Sequence, residues 1–318
     1  MASKQNLKNK WSTTLILFLI LLVMVVTFSV LSRDFISHFN IISMLTNISF
    51  IGIIAGTLTF VMITGGLDIS VGGNIALVSC VVAALYNMPE PLPMWLITLI
   101  GLGVGACIGS LNGLLITRLN LSPIITTLGT MAMAQGGAFV ISRGLSILVF
   151  EDFIGFIGRG SVLGLPTPLF LFGVIYVVLG IVLARSKLGR KVYCIGANQE
   201  AARLSGIQVE RVKFGLYLMS GLAASFSGLI LVGQTAVGMP QHGIGTELDI
   251  ISAVLLGGTA LSGGKGSILG TLAGALILGV LYNGFTMIGF KWVHIRIFQG
   301  ILLIAIVAIY ELRERKRY

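Results

Sequence analysis

The sequence predicts an all-α membrane protein that crosses the bilayer about ten times. Three observations carry this reading. Of 318 residues, 56% are hydrophobic and only 10% charged, whereas soluble domains carry about 25% charged residues. The charges fall between long apolar runs, as a chain with a lipid-facing surface requires. The 42 glycines include several at helical spacing, which suits helices packed closely in lipid.

A membrane helix needs about 20 mostly apolar residues. The 22 uncharged residues between Lys10 and Arg33 supply the first. This run is long for a signal-peptide core and lacks an A-x-A cleavage pattern, so it reads as an uncleaved helix. Charged residues then bound the remaining segments. The expected set is 12–32, 41–64, 70–88, 94–117, 123–142, 167–184, 214–236, 248–263, 267–289 and 292–310. The stretch between Asp249 and Lys265 is short enough to be a re-entrant or broken helix. The last segment extends back to about Trp292, with Arg296 near one membrane face. The chain reads as one transmembrane domain, 1–318, with a cytoplasmic connection at 185–213.

With ten crossings, 16 of the 21 Lys and Arg residues share the side of the termini. They are Lys4, Lys8, Lys10, Arg118, Lys265, Arg313, Arg315, Lys316, Arg317 and seven residues from Arg185 to Lys213. Arg33, Arg143, Arg159, Lys291 and Arg296 fall on the other side. Positive charge favours the cytoplasm, so both termini are expected there. The net charge of +10 sits in loops and termini rather than in a basic helix interleaved with aromatics, which argues against nucleic-acid binding.

Gly101, Gly105, Gly109 and Gly113 repeat along one helix face, as do Gly52 with Gly56 and Gly270 with Gly274. Such ladders allow close helix approach, either within the chain or at a dimer interface. Five-helix halves would have opposite orientations and suit an inverted repeat. The likeness between Gly65-Gly66-Leu67-Asp68 and Gly257-Gly258-Thr259 is loose.

Catalytic patterns are missing from the sequence. Cys80, Cys107 and Cys194 form no CxxC, so neither disulfide nor metal site is expected. His38, His242 and His294 fall at predicted outer edges, away from any metal-ligand spacing. The run Gly258 to Lys265 has the wrong order for a phosphate-binding loop, so no ATP site and no cofactor is expected. Asp68 is the main charge expected at membrane depth. Two readings stay open for it: a cap on the helix starting near Ser70, or a gate or coupling group. The neutral polar residues Asn47, Asn74, Asn112, Thr126, Thr127, Thr130, Gln135, Gln234 and Asn283 either bond between helices or line a wet path. A path of this kind suits a neutral, hydroxyl-rich solute, and the scarcity of acids argues against ion coupling.

The connection 185–213 carries the most specific signal. Glu200 to Leu204 favours a short helix that Asn198 can cap and Gly206 can end. Such a helix either lies on the membrane or fits a partner's groove. Glu200-Ala201-Ala202 followed by Gly206 resembles the EAA-x-x-x-G pattern of importer permeases that dock an ATPase. The later Leu-Pro of that pattern is missing, as in the ribose- and xylose-type monosaccharide permeases with their shorter loop. Gly65 to Gly72 and Glu247 to Gly274 resemble the same family.

The resemblance implies one permease subunit of an ATP-binding-cassette importer in the bacterial inner membrane. It implies a second permease chain, identical or a paralogue, a cytoplasmic ATPase and an extracytoplasmic sugar-binding protein. Glu200, Ala201, Ala202, Arg203, Leu204 and Gly206 would form the coupling helix. The loaded binding protein would dock on outer loops including Pro89 to Pro93 and Met239 to Thr246. An ion-coupled carrier and a receptor-like membrane subunit are the competing classes.

Overall fold

The computed structural model describes residues 2–90 and 92–315, with side chains described from residue 15 to 308 except Pro91, Trp292 and Ile306. The basic side chains expected at the two ends (Lys4, Lys8, Lys10, Arg313, Arg315, Lys316 and Arg317) lie outside the described set.

The helices in chain order are α1 (Ala2–Leu31), α2 (His38–Ile63), α3 (Val71–Tyr86), α4 (Met94–Arg118) and α5 (Pro123–Ser142). Then come α6 (Asp152–Arg159), α7 (Thr167–Arg185), α8 (Lys187–Ala197), α9 (Gln199–Leu204) and α10 (Val209–Thr235). The last are α11 (Thr246–Leu256), α12 (Ile268–Met287) and α13 (Trp292–Arg315). Among the described residues, six of them, α2, α4, α5, α7, α10 and α12, are long and apolar enough to cross a membrane. Shorter apolar stretches lie in α1, α3 and α13. The protein is therefore an all-helical polytopic membrane protein. Each of the ten expected segments corresponds to a helix, but α3 and α11 are short, at 16 and 11 residues.

The two central helices are α2 and α10, which pack on each other. Around α2 lie α7, α11 and α12, and around α10 lie α3, α4 and α6. Their side chains, including Leu58, Phe60, Leu216, Tyr217 and Ile230, form the main core. A helix surrounded by others is mostly apolar on all faces, which accounts for α2 carrying no Asp, Glu, Lys or Arg.

Four two-residue strands mark one end of the molecule. β1 (Ile147–Leu148) pairs antiparallel with β4 (Val237–Gly238), and β2 (Ser161–Val162) with β3 (Leu165–Pro166). From β4 the chain turns inward. Ser79 Oγ donates to Met239 O at 3.1 Å, and Gly243 rests on the first turn of α3, against Gly72 and Ile75. Met239 to Thr246 thus packs beside α3, with His242 buried and Gln241 and Ile244 exposed. Gly238 and Gly243 allow the backbone to lie directly on α3, against Ser79 and Gly72.

The opposite end carries α8 and α9. Here α2 stops at Ile63, and the connection between α11 and α12 folds back onto it. Gly264 N–H donates to Ile63 O at 2.8 Å. The other terminal carbonyls of α2 are met locally: Phe60 O and Val61 O accept from Thr64, and Met62 O from Gly65.

The glycine ladder of α4 faces α10. A Cβ at Gly105 would fall 1.6 Å from Ser225 Oγ, and one at Gly109 2.4 Å from Tyr217 O. The ladder is therefore spent within the chain, which overturns its reading as a dimer interface. Gly103, on the other face, has open space around it. Gly105→Val should destabilise the chain by at least about 1–3 kcal/mol, the cost of overpacking, while Gly103→Ala should change little. Thermal unfolding in detergent checks both.

Candidate coupling site and polar interior

The α8–α9 region is built from capping chemistry. Ser186 Oγ accepts from Gly189 N–H at 3.1 Å to start α8. Asn198 Oδ1 accepts from Ala201 N–H at 2.9 Å to start α9. At the end of α9, Gly206 N–H donates to Arg203 O at 3.0 Å and Ile207 N–H to Ala202 O at 3.1 Å. This paired closure needs a left-handed residue after the helix, and Gly206 supplies it at φ +81°. The expected caps are both present. α8 itself has no strong signal in the sequence, since Gly189 and Gly196 interrupt it and its helix rests on packing of Val192 and Ile195.

The six residues named for coupling divide by environment. Ala202 is buried with Ile195 and Val209, anchoring α9 to α8 and α10. Glu200, Ala201, Arg203 and Leu204 face outward, with Leu204 83% exposed. Arg203 bridges Glu200 at 3.0 Å and Glu210, and its hydrogen bond to Glu210 raises the guanidinium pKa further. Exposed pairs of this kind add little stability, but they hold the α9–α10 corner in shape.

α8 joins the interior through backbone. Gly196 lies so close to Ile63 O and Gly264 that a Cβ would sit 1.8 Å from that oxygen. Tyr193 Oη donates to Gly266 O at 2.8 Å. One helix thus touches both the end of α2 and the α11–α12 connection.

Asp68 lies between α2 and α3 and is wholly buried. Its Oδ1 accepts from Ser70 N–H at 3.0 Å and from Ser70 Oγ at 2.6 Å. Asn112 Nδ2 donates to Ser70 Oγ at 2.8 Å, and Thr130 Oγ1 to Asn112 Oδ1 at 2.7 Å. A polar chain therefore ties the α2–α3 break to α4 and α5. Ser220 of α10 approaches Asp68 from the other side. Asp68 folds the turn before α3, while Ser70 occupies the cap position.

The other named residues are dispersed. Asn74 Nδ2 donates to Gly221 O at 3.1 Å across to α10. Thr126 and Thr127 are buried on α5, and Gln135, half-buried further along it, makes none of the bonds of the Asp68 chain. Gln234 sits near the strand end beside α6, with Nε2 buried and unbonded. Asn283 exchanges two hydrogen bonds with Asn40, at 2.9 and 2.8 Å. That pair lines a cavity of about 410 Å³ between α2, α11 and α12, together with Asn47, Asp249 and Tyr282.

Asp249 joins Asp68 as a second buried acid, one that the charge spacing did not single out. It is 8% exposed inside α11 and accepts a hydrogen bond from Gln299 of α13. Arg296, half-buried, donates to Gln299 Oε1 and to Ile244 O, each at 3.0 Å. Charge spacing had marked both residues as segment edges. The signal that could have found them is the shortness of the segment after Asp249.

Residues 40–307 match the family described as the permease component of the branched-chain amino acid transport system. The ribose import permease RbsC of Bacillus subtilis (strain 168) is 39% identical over 293 residues, covering 91% of this chain and 90% of that protein. RbsC of Escherichia coli (strain K12) is 36% identical, covering 91% of each. The L-arabinose permease AraH of Azospirillum brasilense is 32% identical, over 94% of this chain and 88% of that one. No solved structure matches. With more than half its length inside the family match and close relatives along nearly all of it, the chain belongs to this family of transport-system permeases.

Proposed function

We propose that the chain forms the translocation path of an ATP-driven importer for a monosaccharide of the ribose or arabinose class. The names of its relatives support the sugar class over an amino acid. The neutral amide and hydroxyl groups of the interior suit a solute that carries many hydroxyls and no charge. Hydrolysis belongs to a cytoplasmic ATPase partner, and delivery to an extracytoplasmic binding protein. A second permease chain, identical or a paralogue, completes the path in the bacterial inner membrane. All ten segments cross or enter the bilayer, as two inverted halves. The mutual packing of α2 with α11 and α12, and of α10 with α3 and α4, supports that symmetry. Both termini lie in the cytoplasm with α8 and α9, on the positive-charge argument.

The observation that carries the proposal is the contact of α8 with Ile63, Gly264 and Gly266. The exposed outer face of α9, led by Leu204, docks on the ATPase. Closure of the ATPase pair moves α8, which shifts the end of α2 and the α11–α12 connection together. Packed helices then switch as rigid bodies between outward and inward access. Specificity need not reside in this chain, since the binding protein selects first.

A second reading, an ion-coupled carrier, draws on the buried Asp68 and Asp249. Acids inside a membrane often mark ion paths, but here each is held by neighbouring side chains of this chain.

Binding and transmission are separable by mutation. Leu204→Glu should lower ATPase retention in a pull-down at least tenfold and leave the unfolding temperature unchanged. Retention equal to wild type would move docking elsewhere. Gly196→Val should keep the ATPase bound while reducing uptake at least tenfold, and normal uptake would remove α8 from the path of coupling. At Gly206, Val should weaken ATPase retention through strain of about 1–2 kcal/mol in the left-handed region, whereas Asn should be tolerated.

A further inference from the structure

A groove of about 930 Å³ runs along α7 beside the first turns of α12. Its walls are apolar, among them Phe172, Tyr176 and Leu272, and one end is closed by Arg190 and Tyr193 of α8. Gly173 and Gly180 form part of its floor. Unlike Gly52 and Gly56, where a Cβ would collide with α7 side chains, these two have room around them, with nothing nearer than Ile268 Cγ2 at 4.0 Å. Packing inside the chain therefore leaves this length of groove unfilled.

We infer that the groove holds an anionic phospholipid, its acyl chain along α7 and its phosphate at Arg190. The shape fits the ligand. Leu169 to Ala184 cover roughly 22 Å of helix axis at about 1.5 Å per residue, which exceeds one leaflet, about half of a hydrocarbon core about 30 Å thick, so the groove has length for a whole acyl chain. Charge fits as well. Arg190 is exposed on α8, with Nη1 donating to Arg185 O at 3.2 Å and further guanidinium N–H groups to direct at a phosphate. Arg185, Lys187 and Lys191 are exposed on the same short stretch, so the end of the groove is cationic. Basic pockets between membrane helices on the cytoplasmic side are suited to anionic headgroups. An apolar partner helix would fill the groove but would gain nothing from the cation at its end. Bound there, the lipid would touch α7, α8 and α12 together and so bear on the position of α8.

Native mass spectrometry of the full chain, offered phosphatidylglycerol or phosphatidylcholine, tests this. Wild type should retain phosphatidylglycerol about fivefold better, the preference that one interfacial arginine provides. Arg190→Gln should abolish the preference by lowering phosphatidylglycerol retention to the phosphatidylcholine level, with phosphatidylcholine retention unchanged. Gly180→Leu, which has space for its side chain, should lower retention of both lipids at an unchanged unfolding temperature. Equal retention of the two lipids by wild type would overturn the proposal. So would displacement by inorganic phosphate alone, which would assign Arg190 to a free anion. Efficient cross-linking of Val177→Cys between two chains would also overturn it, by giving the groove to a second copy.

Discussion

A helix that ends inside a protein in lipid leaves carbonyls that only the protein can pair. At the end of α2, three of the four last carbonyls are met within the next few residues, and the fourth, Ile63 O, is met by Gly264 from the far half of the chain. That single hydrogen bond fixes the two interrupted regions to each other. It also dictates glycine: Gly264 has φ +75° and Gly196 stands where a side chain would strike Ile63 O. The position of α8 follows from this contact, and with it the position of α9.

The same economy governs the rest of the interior. Lipid offers helices little hydrophobic gain from association, so close backbone approach and interhelical hydrogen bonds must hold them. α4 lies on α10 through its glycines, and Thr59 on α2 meets Thr271 on α12 at 2.7 Å. The Asp68–Ser70–Asn112–Thr130 chain fastens the α2–α3 break to α4 and α5. Interfaces made of backbone contacts move as units, which suits a protein that must alternate between two packings.

Much of this was legible in the sequence. Charge spacing located the helices because lipid excludes charge, and the caps at Asn198 and Gly206 were readable because capping is local chemistry. What escaped depended on distant partners. Asp249 was read as an edge because charge was the edge marker, yet Gln299 gives it a buried setting. Met239 to Thr246 reads as a surface loop, with Pro240, Gly243 and Gly245, until α3 is placed beside it. α8 carries two glycines that lower helix propensity, and only its docking against α7 and the α2 end accounts for them. Gln135 and Gln234 were singled out by polarity alone, and the fold does not bring them to the Asp68 chain.

The central claim is that flux through this chain is driven by ATP hydrolysis on a partner that acts through α8 and α9. Its most direct test is uptake of radiolabelled ribose and arabinose into proteoliposomes containing the chain, its ATPase and its binding protein. The account predicts accumulation of at least one sugar that requires ATP and persists when ionophores collapse the proton and sodium gradients. Uptake that continues without the ATPase and stops with the gradients would contradict it and establish the ion-coupled carrier.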